Sequence, residues 1–257
     1  MRAIEGWKGL ARRLGLARVA GALRTARVLR KDPLEVWKGG LESEIRFWER
    51  VLPGRVVSDP DFRQRADPAA PVSDPLLKLL IARLPEPTLS LIDVGAGPLT
   101  ALGKTYPGRV LRITATDPLA EEFLRILRGA GIEPPVPPIA CRGEDLVERF
   151  EPSTFDIAYA RNALDHCADP LRVIANMVAL VKPGRYVVLR HFCREAERHG
   201  YRGLHQWNFD VEDGDLALWR SSRERIGVRQ ALCDAAALEC SREGAWVVTV
   251  LTRKRKD

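Results

Sequence analysis

The sequence predicts an α/β fold in which a mostly parallel sheet is covered by helices on both faces. Two observations carry this. From Leu89 onward, short apolar runs of strand character alternate with amphipathic runs of helical period, the pattern of successive βαβ units. The first apolar run breaks at Asp93-Val94-Gly95-Ala96-Gly97, a turn whose glycines let a backbone approach a ligand closely. At 257 residues the chain suits one such domain with additions: an N-terminal basic and helical extension and cap over 1–75, then the domain over 76–257, with an insertion at about 191–220.

The strands read as LSLIDVG, VLRITATD, FDIAYAR and GRYVVLRHF, with helices over AEEFLRILRGAG and DPLRVIANMVALV between them, and IACRGEDL carries a third strand with Glu144 and Asp145 after it. VRQALCDAAA reads as a further helix, and LECSREG and AWVVTVLTRK as two closing strands around a short glycine turn. Before the sheet, LEVWKGGLESEIRFWERVL has Leu41, Ile45, Trp48 and Leu52 on one helical face. The Pro- and Asp-rich stretch SDPDFRQRADPAAPVSDP is expected to be an ordered loop leading to a helix from Pro75 to Leu84.

The net charge of +7 is unevenly placed. Residues 1–31 hold nine Lys and Arg against Glu5 alone, and the rest of the chain sums to one negative charge. Nucleic acid is therefore not the expected partner of the domain. The basic segment reads either as an amphipathic dock for an anionic membrane surface or a protein partner, or as a solvated extension. No apolar stretch reaches the roughly 18 residues of a spanning helix. Five scattered cysteines without a C-x-x-C pair fit a reducing compartment, so the expectation is a cytoplasmic protein. Whether like chains associate stays open.

The Gly turn lacks the third glycine of a dinucleotide fingerprint, since Thr100 stands there, and this weakens an NAD reading. Asp117, twenty residues after Gly97, ends the second strand where a carboxylate can accept two ribose hydroxyls. Taken together and in order, LIDVGAGPLT, ATDPL, GEDL, FDIAYARNALDHCADP and KPGRYVVL resemble the successive motifs of the class I, Rossmann-like methyltransferases that use S-adenosylmethionine. The resemblance covers roughly Leu76 to Arg253, with Pro98 standing where many members have glycine.

That resemblance implies a seven-stranded sheet whose last strand is antiparallel. It implies that Asp93, Gly95, Ala96 and Gly97 line the methionine and ribose end, that Asp117 and Pro118 hold the ribose, and that Glu144, Asp145 and Leu146 flank the adenine. Arg161 and Asn162 would pass along the methionyl group. Arg65 would pair with the methionine carboxylate, or else make a surface salt bridge.

Methyl transfer to a hydroxyl needs a positioned acceptor and a group that takes its proton. His166, His191 and His205 fall at or beyond the carboxyl ends of strands and are the candidate bases. Tyr201, His205, Gln206, Trp207 and Asn208 make the insertion rich in aromatic and polar groups. They suit a pocket or lid for a sugar ring or small polar aromatic, unless Trp207 and Phe209 merely pack it down. No metal is expected: Asp165, His166, His191, Glu195 and His205 could converge, but no histidine pair has i, i+4 spacing. The reading is therefore O-methylation of a small molecule or glycan. Its alternatives are an RNA or protein methyltransferase docking through the basic N-terminus, and a non-catalytic module that binds the cofactor for scaffolding.

Overall fold

The computed structural model describes Thr25, residues 28–221 and residues 224–255. Most of the basic segment over 1–31 lies outside them. Four helices begin at an Asp-Pro pair, where proline fills a first-turn position that needs no N–H donor and the aspartate caps free amides. They are α1 (Pro33–Ser58), α2 (Pro60–Ala66), α3 (Pro75–Ala82) and α6 (Pro170–Leu180), capped by Asp32, Asp59, Asp74 and Asp169. Helix α2 corrects the expected loop. The Asp59-Pro60 signal starts a helix there, and burial of Phe62 against Leu52, Leu119 and Phe123 holds it.

The remaining elements are β1 (Thr88–Val94), β2 (Val110–Asp117), α4 (Ala120–Gly129), β3 (Pro138–Ala140), α5 (Leu146–Arg149), β4 (Phe155–Arg161) and β5 (Val181–Phe192). After them come α7 (Glu195–Arg198), β6 (Asn208–Glu212), β7 (Asp215–Trp219), β8 (Arg225–Gly227), α8 (Val228–Ala231), β9 (Ala236–Glu243) and β10 (Trp246–Arg253). The expected helix after Gly227 is only the short α8.

Seven strands form one sheet in the order β3-β2-β1-β4-β5-β10-β9. The first five are parallel, and β10 enters antiparallel to both β5 and β9. Side chains alternate across the sheet. Ile157 and Tyr159 of β4 join the cluster with Leu77, Leu80 and Ile81 of α3, whereas Ala158 and Ala160 join Val173, Ile174 and Met177 of α6. Helices thus cover both faces. Since the chain order reverses beside β1, the carboxyl ends of β1 and β4 open a crevice, as doubly wound sheets require. Among the described residues no helix is long and apolar enough to cross a membrane.

The segment after β5 folds as α7 and a separate three-stranded antiparallel sheet, β6-β7-β8. Phe209, Leu216 and Leu218 of that sheet are fully buried in the main core. The insertion is therefore anchored to the domain and is not a free lid. Replacing Phe209 by Ala should cost about 3–5 kcal/mol, the usual range for a buried aromatic. Chemical denaturation measures this, and a loss below about 1 kcal/mol would mean that the insertion is not part of the core.

Candidate active site

The floor of the crevice is the turn after β1. Gly95 and Gly97 have φ of +70° and +64°, a region open to glycine at little cost. A Cβ on Gly95 would also collide with the side chain of Ala163. The amides of Gly95 and Ala96 donate to the Thr116 carbonyl at 2.8 and 2.9 Å, so the turn is fixed to β2. Asp117 completes the tie, accepting from the Gly97 amide at 3.0 Å and the Leu119 amide at 2.9 Å. Burial pushes its carboxyl up to about 6, although those two amides favour the anion.

These residues line one cavity of about 670 Å³, within the range of small-ligand sites. Its floor and walls include Gly95, Ala96, Gly97, Asp117, Pro118, Arg142, Glu144, Arg161 and Asn162. Asn162 has φ of +50°, and its Oδ1 is buried there without a hydrogen-bond partner. The Nε of Arg142, whose guanidinium stands 4.6 Å over the Trp37 ring, is similarly unpartnered.

Asp93, Asp145 and Leu146 do not line this cavity. The Asp93 carboxylate points into the protein, taking the Thr100 hydroxyl at 2.5 Å and the Ala101 amide at 3.3 Å, and so shapes the loop beyond the turn. Asp145 is half-buried beside Arg142, and Leu146 is buried in the core. Glu144 reaches the cavity but also accepts the Ala168 and Asp169 amides at 2.8 and 3.2 Å, closing the N-terminus of α6.

Arg65 and Arg161 both reach the cavity and share one anion, Asp61, at 2.7 and 3.6 Å. Burial raises the Asp61 carboxyl, but the two guanidinium groups outweigh it and hold the group below its ordinary value. The roof, which the sequence reading did not assign to the site, is α1: Trp37, Leu41, Glu44, Phe47, Trp48 and Arg55 face the cavity. The one advance signal was the aromatic content of a helix assigned only a capping role.

At the far end stand His166, His199, His205 and Glu195, with Phe192, Leu204 and Trp246. The imidazole Nδ1 of His205 lies 2.6 Å from Asp165 Oδ2 and 3.1 Å from His166 Nε2. Burial works against a charged His205, yet the hydrogen bond and charge of Asp165 hold its pKa above the usual value. The rings of His199 and His205 stack at 4.0 Å, and His199 Nε2 is 3.2 Å from Glu195 Oε1. Glu195 and His199 are four residues apart, a spacing that puts them on one helical face. That spacing was the signal for His199 in the sequence.

Several expected site residues instead build the scaffold around this cluster. Gln206 and Trp207 donate their amides to the Asp165 carbonyl at 3.0 and 3.2 Å, and both side chains donate to the Cys167 carbonyl at 3.0 Å. The Tyr201 hydroxyl donates to the Arg220 carbonyl at 2.6 Å and accepts from the Asn208 amide group at 3.0 Å. None of these four lines the cavity. They hold the loop so that His205 meets Asp165. His191 is also withdrawn from the cavity: it is 1% exposed, stacks on Phe209 at 4.5 Å, and burial lowers its pKa to about 4.

A family model described as a methyltransferase domain matches residues 63–228, more than half of the chain. No curated protein matches the sequence. Among solved structures, the 1,6-didemethyltoxoflavin-N1-methyltransferase of Burkholderia thailandensis, with bound 1,6-didemethyltoxoflavin and S-adenosylhomocysteine, is 17% identical; the likeness covers 88% of this chain and 92% of that one, at a TM-score of 0.48. The CMeT domain of the citrinin polyketide synthase is 14% identical over 70% of this chain and 51% of that one, at a TM-score of 0.50. An S-adenosylmethionine-dependent methyltransferase from Mesorhizobium loti is 16% identical over 68% and 96%, at a TM-score of 0.43. By the family match and by its own sheet order, the chain belongs to the methyltransferase-domain family and is a class I methyltransferase that depends on S-adenosylmethionine.

Proposed function

We propose that this methyltransferase acts on a hydroxyl oxygen of a small molecule or glycan. The observation that carries the reading is the single cavity running from the glycine turn to the imidazole–carboxylate cluster of Asp165, His166 and His205. The residues at its near end fit the cofactor. Gly97 leaves open space where a Cβ would stand, Asp117 retains lone pairs for hydroxyl donors, and Asn162 Oδ1 is an unspent acceptor. Arg65 and Arg161 bring positive charge beside Asp61 for a carboxylate.

When bound, S-adenosylmethionine supplies an electrophilic methyl carbon on a sulfonium centre. The chain's part is to align the acceptor oxygen with that carbon and to withdraw its proton. Flat faces from Phe192 and Trp246 and nitrogen-bearing edges from His166 and His205 border the far end. With the methyl carbon passing from sulfur to the acceptor oxygen and S-adenosylhomocysteine as the leaving group, this cluster would take the oxygen's proton. With Tyr201, Gln206 and Trp207 directed into the scaffold, a sugar is one candidate among ring-sized acceptors. The cavity has to hold donor and acceptor together, which favours small acceptors over a folded macromolecule.

Two predictions follow from the ends of the cavity. Hydroxyl donors favour the ionised Asp117, so affinity for S-adenosylhomocysteine should fall as pH drops through about 6, by up to tenfold per unit. Calorimetry across pH 5 to 8 measures this. Asp117→Asn should weaken binding by about 10- to 100-fold and abolish the pH dependence, and a flat profile in the parent chain would refute the role. At the other end, His166→Ala and His205→Ala should lower kcat on a hydroxyl acceptor by about 100-fold or more while leaving cofactor affinity intact. Screening small acceptors by S-adenosylhomocysteine release tests the class. Turnover confined to amines or RNA would contradict it.

A further inference from the structure

We propose that Asp165, His166 and His205 form a binding site for a divalent transition-metal ion, with Glu195 and His199 beside it. One ligand atom from each of the three residues converges: His205 Nδ1 lies 2.6 Å and His166 Nε2 3.5 Å from Asp165 Oδ2, and the two nitrogens are 3.1 Å apart. An ion with bonds of about 2.0–2.2 Å spaces its ligand atoms by about 3–3.5 Å at tetrahedral or octahedral angles. The trio is thus already close to three vertices of a coordination shell. Glu195, His199 and His205 form a second group of the same kind that shares His205.

Charge provides an independent argument. Asp165 and Glu195 are 1% and 6% exposed, and among the described residues neither carboxylate has a Lys or Arg within 4.0 Å; their ionic partners are histidines alone. The second oxygen of Asp165 is buried with no hydrogen-bond partner. Two buried carboxylates without a permanent cation are costly, and a dication neutralises both. The protons also fall short. The Nδ1 proton of a neutral His205 serves either Asp165 or His166, whereas an ion satisfies all three lone pairs.

Two imidazoles and a carboxylate favour zinc, cobalt or manganese over magnesium or calcium. The surroundings are those of a held site: Gln206 and Trp207 fix the Asp165 backbone, and their loop delivers His205. This departs from the sequence expectation of no metal, which looked for paired histidines on one helix. The ligands come from two turns, His205 lying 39 and 40 residues beyond His166 and Asp165.

His166 and His205 face the cavity, so open coordination positions would face the acceptor. The role of the ion rests on the proposed function: a hydroxyl on a dication gives up its proton more readily, and Glu195–His199 is the adjacent pair to receive it. In that case His166 and His205 would act by holding the ion, and the acceptor's proton would go to Glu195–His199.

The test uses the full chain, stripped with a chelator and titrated with Co²⁺. Visible d–d absorption saturating at one equivalent and displaced by Zn²⁺ is expected. His205→Ala and Asp165→Asn should each weaken the ion by at least about tenfold while S-adenosylhomocysteine still binds, and whichever variant keeps that binding serves as the folded control. A parent chain that binds S-adenosylhomocysteine but gives no cobalt spectrum overturns the site and leaves the methyl-transfer reading standing. A spectrum unchanged in the folded variant overturns this ligand set. Saturable cobalt binding without turnover of any hydroxyl acceptor would uphold the site and remove the proposed function instead.

Discussion

The site depends first on the carboxylate of Asp117. Sheet order brings the carboxyl ends of β1 and β2 side by side, but a parallel pair leaves the turns beyond its ends to be fixed by other means. Asp117 does this with one oxygen on the Gly97 amide and the other on the Leu119 amide. The glycine turn and the start of α4 are thereby locked into one edge. The cost of burying the acid appears in its raised pKa, and the two amides offset part of it. A group kept near its point of ionisation, on the wall of a cavity, is well placed to respond to a ligand.

The opposite end is assembled by a different device. The carbonyl of Asp165 takes two successive amides from Gln206 and Trp207, and the Cys167 carbonyl takes both of their side chains. This binds the turn after β4 to the insertion after β5, and it fixes where His205 stands. The three-stranded sheet behind that loop is sunk in the core through Phe209, which also covers His191. Rigid backing of this sort holds two imidazoles and a carboxylate within hydrogen-bonding distance of one another. Helix α1 then roofs the cavity, tied to the same loop by the Gln206 side chain on the Pro33 carbonyl at 3.3 Å.

Much of this was legible in the sequence, where local rules decide the outcome. The five parallel strands were visible as buried apolar runs, and the closing hairpin as two runs around a glycine. Asp-Pro pairs mark four helix starts, and the one at Asp59-Pro60 was passed over because the proline- and aspartate-rich composition around it reads as loop. The glycine turn and Asp117 were singled out as candidates from spacing along the chain, which the sheet converts directly into proximity. Asp93 and Leu146 were assigned to the cofactor from motif position, but alternation and burial turn their side chains inward.

The residues that escaped were those whose roles depend on contacts distant in sequence. The polar and aromatic character of Tyr201, Gln206 and Trp207 is the same whether a side chain faces a ligand or caps a carbonyl, and only the fold distinguishes the two. His191 falls at the right sheet edge and is then covered by Phe209. The roof of α1 over the glycine turn joins segments that no local pattern connects, whereas the i, i+4 spacing of Glu195 and His199 was there to be read. The most direct measurement is calorimetric titration of the chain with S-adenosylhomocysteine and, separately, with NAD⁺. The account predicts one-to-one binding of S-adenosylhomocysteine and no heat with NAD⁺; tight NAD⁺ binding with no S-adenosylhomocysteine binding would contradict it.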